Sequence, residues 1–244
     1  MLPEDASIMA FGAHAADYCF RAGGTLIKYA QKGARVKAFC ATFGERGESK
    51  IHWSKGATLE TVKEIRRKEA SEAASILGIN VEFLDWDDNP LIMGKERLML
   101  LADKIGDFQP DIILTHYPGE HTYPDHQNFG QAVVHAARLF KGPLVQNGRE
   151  LRMVRPRIFF WEPDLFAQPV LDFAPDTYVD ITDTAEQKFD AVHAYADTQP
   201  GLEDRWPSRG KMRAMEARTL GSRYQCQYAE AFKRYFPFVG DRFI

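Results

Sequence analysis

Two histidines and one aspartate carry the most chemistry in this chain: His14 and Asp17 in Ala13-His14-Ala15-Ala16-Asp17, and His126 in Tyr123-Pro124-Asp125-His126. Each segment stands where an apolar, strand-like run gives way to a helix-like one, so the three side chains can meet at one edge of a sheet. Two neutral imidazoles and a carboxylate suit Zn²⁺ with positions left open for water or substrate. The same donors also suit Fe(II) or Mn(II), so the triad alone does not choose the metal.

The elements that must position these residues are legible from periodicity. A short apolar run at 7–12 precedes a helical stretch at 18–32, stopped by Gly33, and then an alternating run at 35–42, which is a βαβ unit. Residues 43–57, rich in Gly and charge, read as a loop. A long amphipathic helix follows at 58–77, ended by Gly78, then a strand at 81–84 and the turn cluster Asp87-Asp88-Asn89-Pro90. A helix at 98–108, a buried strand at 111–115 and a loop to Tyr123 lead to a helix at 124–140 opened by Pro124. Strands at 157–160 and 178–181 and a helix at 184–196 complete the alternation. The expected fold is α/β, a largely parallel open sheet with helices on both faces. A single domain spans 1–244, with 200–244 expected as a C-terminal cover or subunit contact. In such a sheet ligands bind beyond the carboxyl ends of the strands, where His14, the 43–49 loop, Asp85 to Asn89 and the 116–126 loop all fall.

Composition bounds the function. The chain has 244 residues, 45% hydrophobic and 27% charged, with a formal net charge of -3, which gives no electrostatic reason to expect nucleic acid. The three cysteines are far apart and lack C-x-x-C spacing, which argues against a disulfide framework and fits a reducing cytoplasm. No apolar stretch is long enough to span a bilayer, and the acids near the N-terminus are unlike a signal peptide, so neither a membrane nor secretion is expected.

Ala13-His14-x-x-Asp17 with Gly23-Gly24, Gly44-Glu45-x-Gly47-Glu48, Arg66-x-x-Glu69, Leu77-Gly78, Pro124-Asp125-His126 and Asp180-Ile181-Thr182 occur in an order that resembles the PIG-L/LmbE superfamily of zinc-dependent N-acetylglucosamine deacetylases. The resemblance implies a Rossmann-like α/β fold with a Zn²⁺ held by His14, Asp17 and His126. Deacetylases of this superfamily read His-Pro-Asp-Asp, the first Asp being the general base, and that position is Ala16 here. Their His-Pro-Asp-His becomes Tyr123-Pro124-Asp125-His126, so the assisting imidazole is missing too. Amide hydrolysis needs both a base and an acid.

The strings His14-Ala15-Ala16-Asp17-Tyr18-x-x-Arg21-Ala22-Gly23-Gly24 and Phe43-Gly44-Glu45-Arg46-Gly47-Glu48-Ser49 resemble a hydratase branch of the superfamily. Members of that branch add water to a carbon-carbon double bond of the tricarboxylate 4-oxalomesaconate (4-carboxy-2-hydroxymuconate) in gallate and protocatechuate meta-cleavage. The resemblance implies Glu48, then Glu45, for proton transfer; on the loop leading to His126, Asp125 is the expected acceptor behind a metal-bound imidazole and His121 the expected proton donor. Arg66, Arg21, Arg46 and Tyr123 are the expected contacts of a small polycarboxylate substrate. It also implies a homo-oligomer. A divergent deacetylase that recruits Glu48 or Asp125 as base is the alternative, and a silent fold kept for binding is a third reading.

Overall fold

The computed structural model describes residues 6–139, 144–146, 149–151, 155–164, 172–221, 225–237 and 239. Along the chain run β1 (Ile8–Gly12), α1 (Asp17–Gln31), β2 (Val36–Cys40), α2 (Lys50–Ser54), α3 (Leu59–Leu77), β3 (Asn80–Phe83), α4 (Lys95–Phe108) and β4 (Ile112–Thr115). They are followed by α5 (Pro124–Arg138), β5 (Leu144–Gln146), β6 (Arg149–Leu151), β7 (Arg157–Trp161), β8 (Thr177–Asp180), α6 (Ala185–His193), α7 (Leu202–Thr219) and β9 (Ala229–Arg234). The expected end of the fifth helix at Phe140 lies outside the described residues.

Seven strands form one sheet in the order β3-β2-β1-β4-β7-β9-β8, and β5 pairs with β6 as a separate hairpin. The pairings from β3 through β7 are parallel, while β9 runs antiparallel to both its neighbours. The central strands are apolar on both faces because helices cover both. One buried cluster packs α1, α3 and α6 against the sheet, and a second packs α4 and α5 against the other face. Strand order reverses between β1 and β4, which opens a crevice at their carboxyl ends. With Phe11 opposite Thr115 in register, the residues that follow, His14 and His116, are delivered to the same crevice.

The sequence boundaries hold to within a few residues, and local chemistry explains the ends. Thr58 caps α3 by accepting the Thr61 amide at 3.2 Å, and Gly78 closes it at φ 71°. Two segments differ from expectation. The 43–57 loop contains the short helix α2. Within 200–244, which the sequence leaves as a cover or subunit contact, α7 spans part and β9 sits inside the sheet between β7 and β8. The Ala229-Glu230-Ala231 pattern hid this strand because Glu230 is a buried carboxylate. It accepts the amides of Gly24 and Thr25 at 2.9 and 2.8 Å and the Lys188 ammonium at 2.7 Å.

Helix α5 approaches the sheet closely at Gly130, where an added Cβ would lie 2.5 Å from the His116 carbonyl oxygen. Backbone cannot yield as a flexible side chain can, so Gly130→Ala is expected to destabilise the fold by about 1–3 kcal/mol. The shift in the urea midpoint measures it, and an unchanged midpoint contradicts the close approach.

Candidate metal centre

The turn after β1 is built around Asp17. Its Oδ2 accepts the His14 backbone N–H at 2.7 Å and lies 3.1 Å from His116 Nε2, and Oδ1 accepts the Arg21 Nε–H at 3.4 Å. Gly12 permits this turn, because a Cβ there would lie 2.8 Å from Asp17 Cβ. Burial alone would raise the Asp17 pKa, but the facing rings of His116 and His126 hold it well below the usual carboxylate range.

His126 arrives from the first turn of α5. Its Nε2 stands 3.2 Å from His14 Nδ1 and 3.6 Å from Asp17 Oδ1, and His14 Nδ1 is 3.7 Å from Asp17 Oδ2. The remaining nitrogen of each ring faces a carboxylate: His14 Nε2–H donates to Asp125 Oδ2 at 3.3 Å, and His126 Nδ1–H donates to Glu120 Oε1 at 3.1 Å. With both rings neutral, as metal ligands must be, the carboxylates assign these tautomers, and two ring lone pairs then face each other across 3.2 Å. A cation between them relieves that repulsion. Tetrahedral Zn²⁺ with ligand bonds of about 2.0–2.1 Å separates its ligand atoms by about 3.3 Å, so the 3.2 Å between the two ring nitrogens suits the ion, and the Asp17 carboxylate stands slightly farther from both rings.

Electrostatics and stacking hold the rings in place. Burial opposes charge on His14, yet Glu48, Asp125 and Asp17 carry its pKa up to about 9, whereas burial and His116 push His126 down to about 4. The His126 ring is sandwiched between His116 and Tyr123, with centroids at 4.0 and 4.2 Å. Asp125 is fixed in turn by the Asn89 and Leu91 amides at 2.8 and 2.7 Å. Burial would raise its pKa, but the bonds from His14 and those amides lower it to about 2.

Glu48 joins the cluster from the 43–49 loop, with Oε1 at 3.5 Å from His14 Nδ1 and Oε2 accepting the Arg66 Nη2–H at 3.0 Å. Burial raises its pKa even against the pull of His14 and Arg66. Tyr123 lies over His14 and His126, its phenol pKa raised by burial and by Glu48, Asp17, Asp125 and Asp88.

Other residues expected at the site lie elsewhere or are already engaged. Arg66 is 0% exposed and donates to Phe43 O, Glu69 and Glu48, so its guanidinium faces protein rather than an open pocket. Arg21 is buried against Asp17 and the Glu162 carbonyl. Glu45 is turned inward, its carboxylate accepting its neighbour Phe43 N–H at 3.1 Å, outside the converging donors. His121 is exposed and bonds the Gly119 carbonyl at 3.0 Å, outside the converging donors. Arg46 stands at the rim with a side chain 44% exposed, 3.3 Å from Asp87.

Two residues that matter escape the sequence reading. Glu120 is buried behind His126, and the signal for it is chemical: a ligating imidazole needs an acceptor for its second N–H, and Glu120 lies in the loop leading to His126. Asp88, expected only as a turn residue, accepts the Arg46 and Gly47 amides at 2.9 and 2.8 Å and so pins the loop that carries Glu48.

The chain has known relatives. The GlcNAc-PI de-N-acetylase (PIG-L) family profile matches residues 9–137. The 4-oxalmesaconate hydratase of Pseudomonas putida KT2440 is 34% identical over 242 residues, covering 96% of this chain and 91% of that one. The crystal structure of GalB, the 4-carboxy-2-hydroxymuconate hydratase of the same organism, superposes with a TM-score of 0.89 at 32% identity, over 98% of this chain and 100% of that chain. The N,N'-diacetylchitobiose deacetylase of Pyrococcus horikoshii shares the fold, with a TM-score of 0.76 at 23% identity, over 95% and 84% of the two chains. With the profile spanning more than half of its residues and a relative of this identity over nearly its full length, the chain belongs to the PIG-L family.

Proposed function

We propose that this chain is a zinc-dependent hydratase that adds water to a carbon-carbon double bond of 4-oxalomesaconate (4-carboxy-2-hydroxymuconate). The observation that carries the proposal is the pairing of a metal-compatible cluster with a missing base. Ala16, 1% exposed, is a core methyl beside Asp17, and the carboxylate nearest the open side is Glu48. The likeness to the hydratases over almost the whole chain supports the same reading.

His14 through Nδ1, Asp17 through Oδ1 and His126 through Nε2 would hold the ion. When bound, Zn²⁺ supplies Lewis acidity that draws electrons from a conjugated carbonyl and its double bond. Glu48 Oε1 takes the proton of the attacking water and returns it to the adjacent carbon, so the hydroxide and the proton of one water both end on the substrate, while its other oxygen stays on Arg66. Tyr123, kept protonated by the acids around it, donates toward the developing negative charge. Arg46 is the cation a substrate carboxylate reaches from solvent, and the buried charge of Arg21 favours an anion nearby. Three buried free cysteines suit a reducing cytoplasm, and no helix among the described residues is long and apolar enough to cross a membrane.

The test is loss of the substrate's ultraviolet absorbance with the zinc-loaded protein. No loss with fully metallated protein removes the hydratase, and acetate release from N-acetylglucosamine conjugates supports a deacetylase instead. The carboxylates behind the imidazoles should matter nearly as much as the ligands. Glu120→Ala is expected to weaken metal affinity about 10–100-fold, read by competition with a chelating indicator. Unchanged affinity would show that the orientation of His126 does not depend on Glu120.

A further inference from the structure

A line of buried hydrogen bonds runs from the proposed base to His52 on α2. Glu48 Oε2 accepts from Arg66 Nη2 at 3.0 Å, and Arg66 Nη1 donates to Glu69 Oε2 at 2.8 Å. The other Glu69 oxygen accepts the Thr198 hydroxyl, and Thr198 Oγ1 stands 2.7 Å from His52 Nε2. The direction of each bond is determined. Thr198 has one proton and gives it to a carboxylate, so its oxygen accepts and His52 Nε2–H donates. Arg66 is always a donor, so the chain reads His52 to Thr198 to Glu69, and Arg66 to both Glu69 and Glu48.

Four separate elements meet in this line: α2 with His52, the turn after α6 with Thr198, α3 with Arg66 and Glu69, and the 43–49 loop with Glu48. The Arg66 guanidinium is buried and its Nε is spent on the Phe43 carbonyl at 2.9 Å, so two carboxylates share its remaining edge. If Glu69 is held in place by Thr198, the guanidinium stays between the two acids. If Glu69 is released, it draws Arg66 toward itself and Glu48 Oε2 loses its anchor, letting Oε1 drift from the metal cluster.

We propose that Thr198, Glu69 and His52 are positioning residues that hold Arg66, and through it Glu48, at the geometry the proton transfer requires. The inference rests on the assignment of Glu48 as base. A displacement of about 1 Å at a reacting group costs up to about 100-fold in rate. Thr198→Val keeps the shape and removes both hydrogen bonds. In the zinc-loaded protein, well below its melting temperature, it is expected to lower kcat about 10–100-fold with KM within about twofold and bound zinc undiminished. Thr198→Ser restores most of the rate.

A kcat within about twofold of wild type overturns the positioning role, on the same scale of misplacement costs. So does a loss that follows bound zinc, or one that Thr198→Ser fails to recover. If Thr198→Val does not fold, His52→Ala, 8% exposed at the far end of the line, carries the same test, with a smaller fall in kcat at constant KM and zinc. Glu48→Gln assayed beside these variants separates the two ideas. If it is inactive and Thr198→Val is normal, only the positioning role falls, and if it is active, both fall.

Discussion

Glu48→Gln is expected to lower kcat by about 10²–10⁴-fold, the usual worth of a positioned proton-transfer group, while zinc content and melting temperature stay near wild type. The amide has the size of the carboxylate, and its oxygen can still accept the Arg66 N–H that Glu48 Oε2 accepts at 3.0 Å. What it loses is basicity. Burial makes Glu48 a stronger base than an exposed glutamate, and His14 and Arg66 moderate that effect without cancelling it. His14, Asp17 and His126 supply three donors, the usual protein share of an open catalytic site, so the ion is expected to stay bound although Glu48 stands within reach of it. Steady-state rates with elemental analysis of the purified variant decide the matter. Activity within about fivefold of wild type, far below the expected loss, would move the proton transfer elsewhere.

The sequence is most readable where function and fold demand the same residues. His14, Asp17 and His126 stand at strand-to-helix junctions, and the reversal of strand order between β1 and β4 is the kind of place an α/β sheet builds a site. Helices α1, α3 and α5 declare themselves through periodic apolar faces and their stops. The tail was illegible for a specific reason. Glu230 looks solvated in sequence, yet it is buried because two helix amides and Lys188 satisfy it, and no local pattern announces partners 206, 205 and 42 residues away. Arg66 misleads in the same way: a cation near a carboxylate-binding site suggests substrate, while its actual partners, Phe43, Glu69 and Glu48, are brought to it only by the packing of α3 against the loop. Ala16 is the opposite case, since its meaning as a missing base is visible in sequence and its burial only confirms that no carboxylate is hidden there.

Asp17→Asn should abolish both activity and stoichiometric zinc binding, and it should also uncouple stability from metal. The substitution nearly preserves volume, and its amide oxygen can replace Oδ2 as acceptor of the His14 N–H. It removes the charge that balances Arg21 and faces His116 and His126, leaving two imidazoles as the remaining ligands. A ligand that binds only the folded state stabilises it by RT ln(1 + [L]/Kd), about 2.7 kcal/mol at a hundredfold excess over Kd. In the wild-type protein a chelator should therefore lower the melting temperature, because it removes that contribution. In Asp17→Asn there is no bound ion to remove, so the chelator should change nothing, and the variant should melt near or below chelated wild type because Arg21 has lost its buried partner. A chelator-sensitive melting temperature in Asp17→Asn, with zinc still at one equivalent, would show that the ion sits on other donors and would take the proposed chemistry with it.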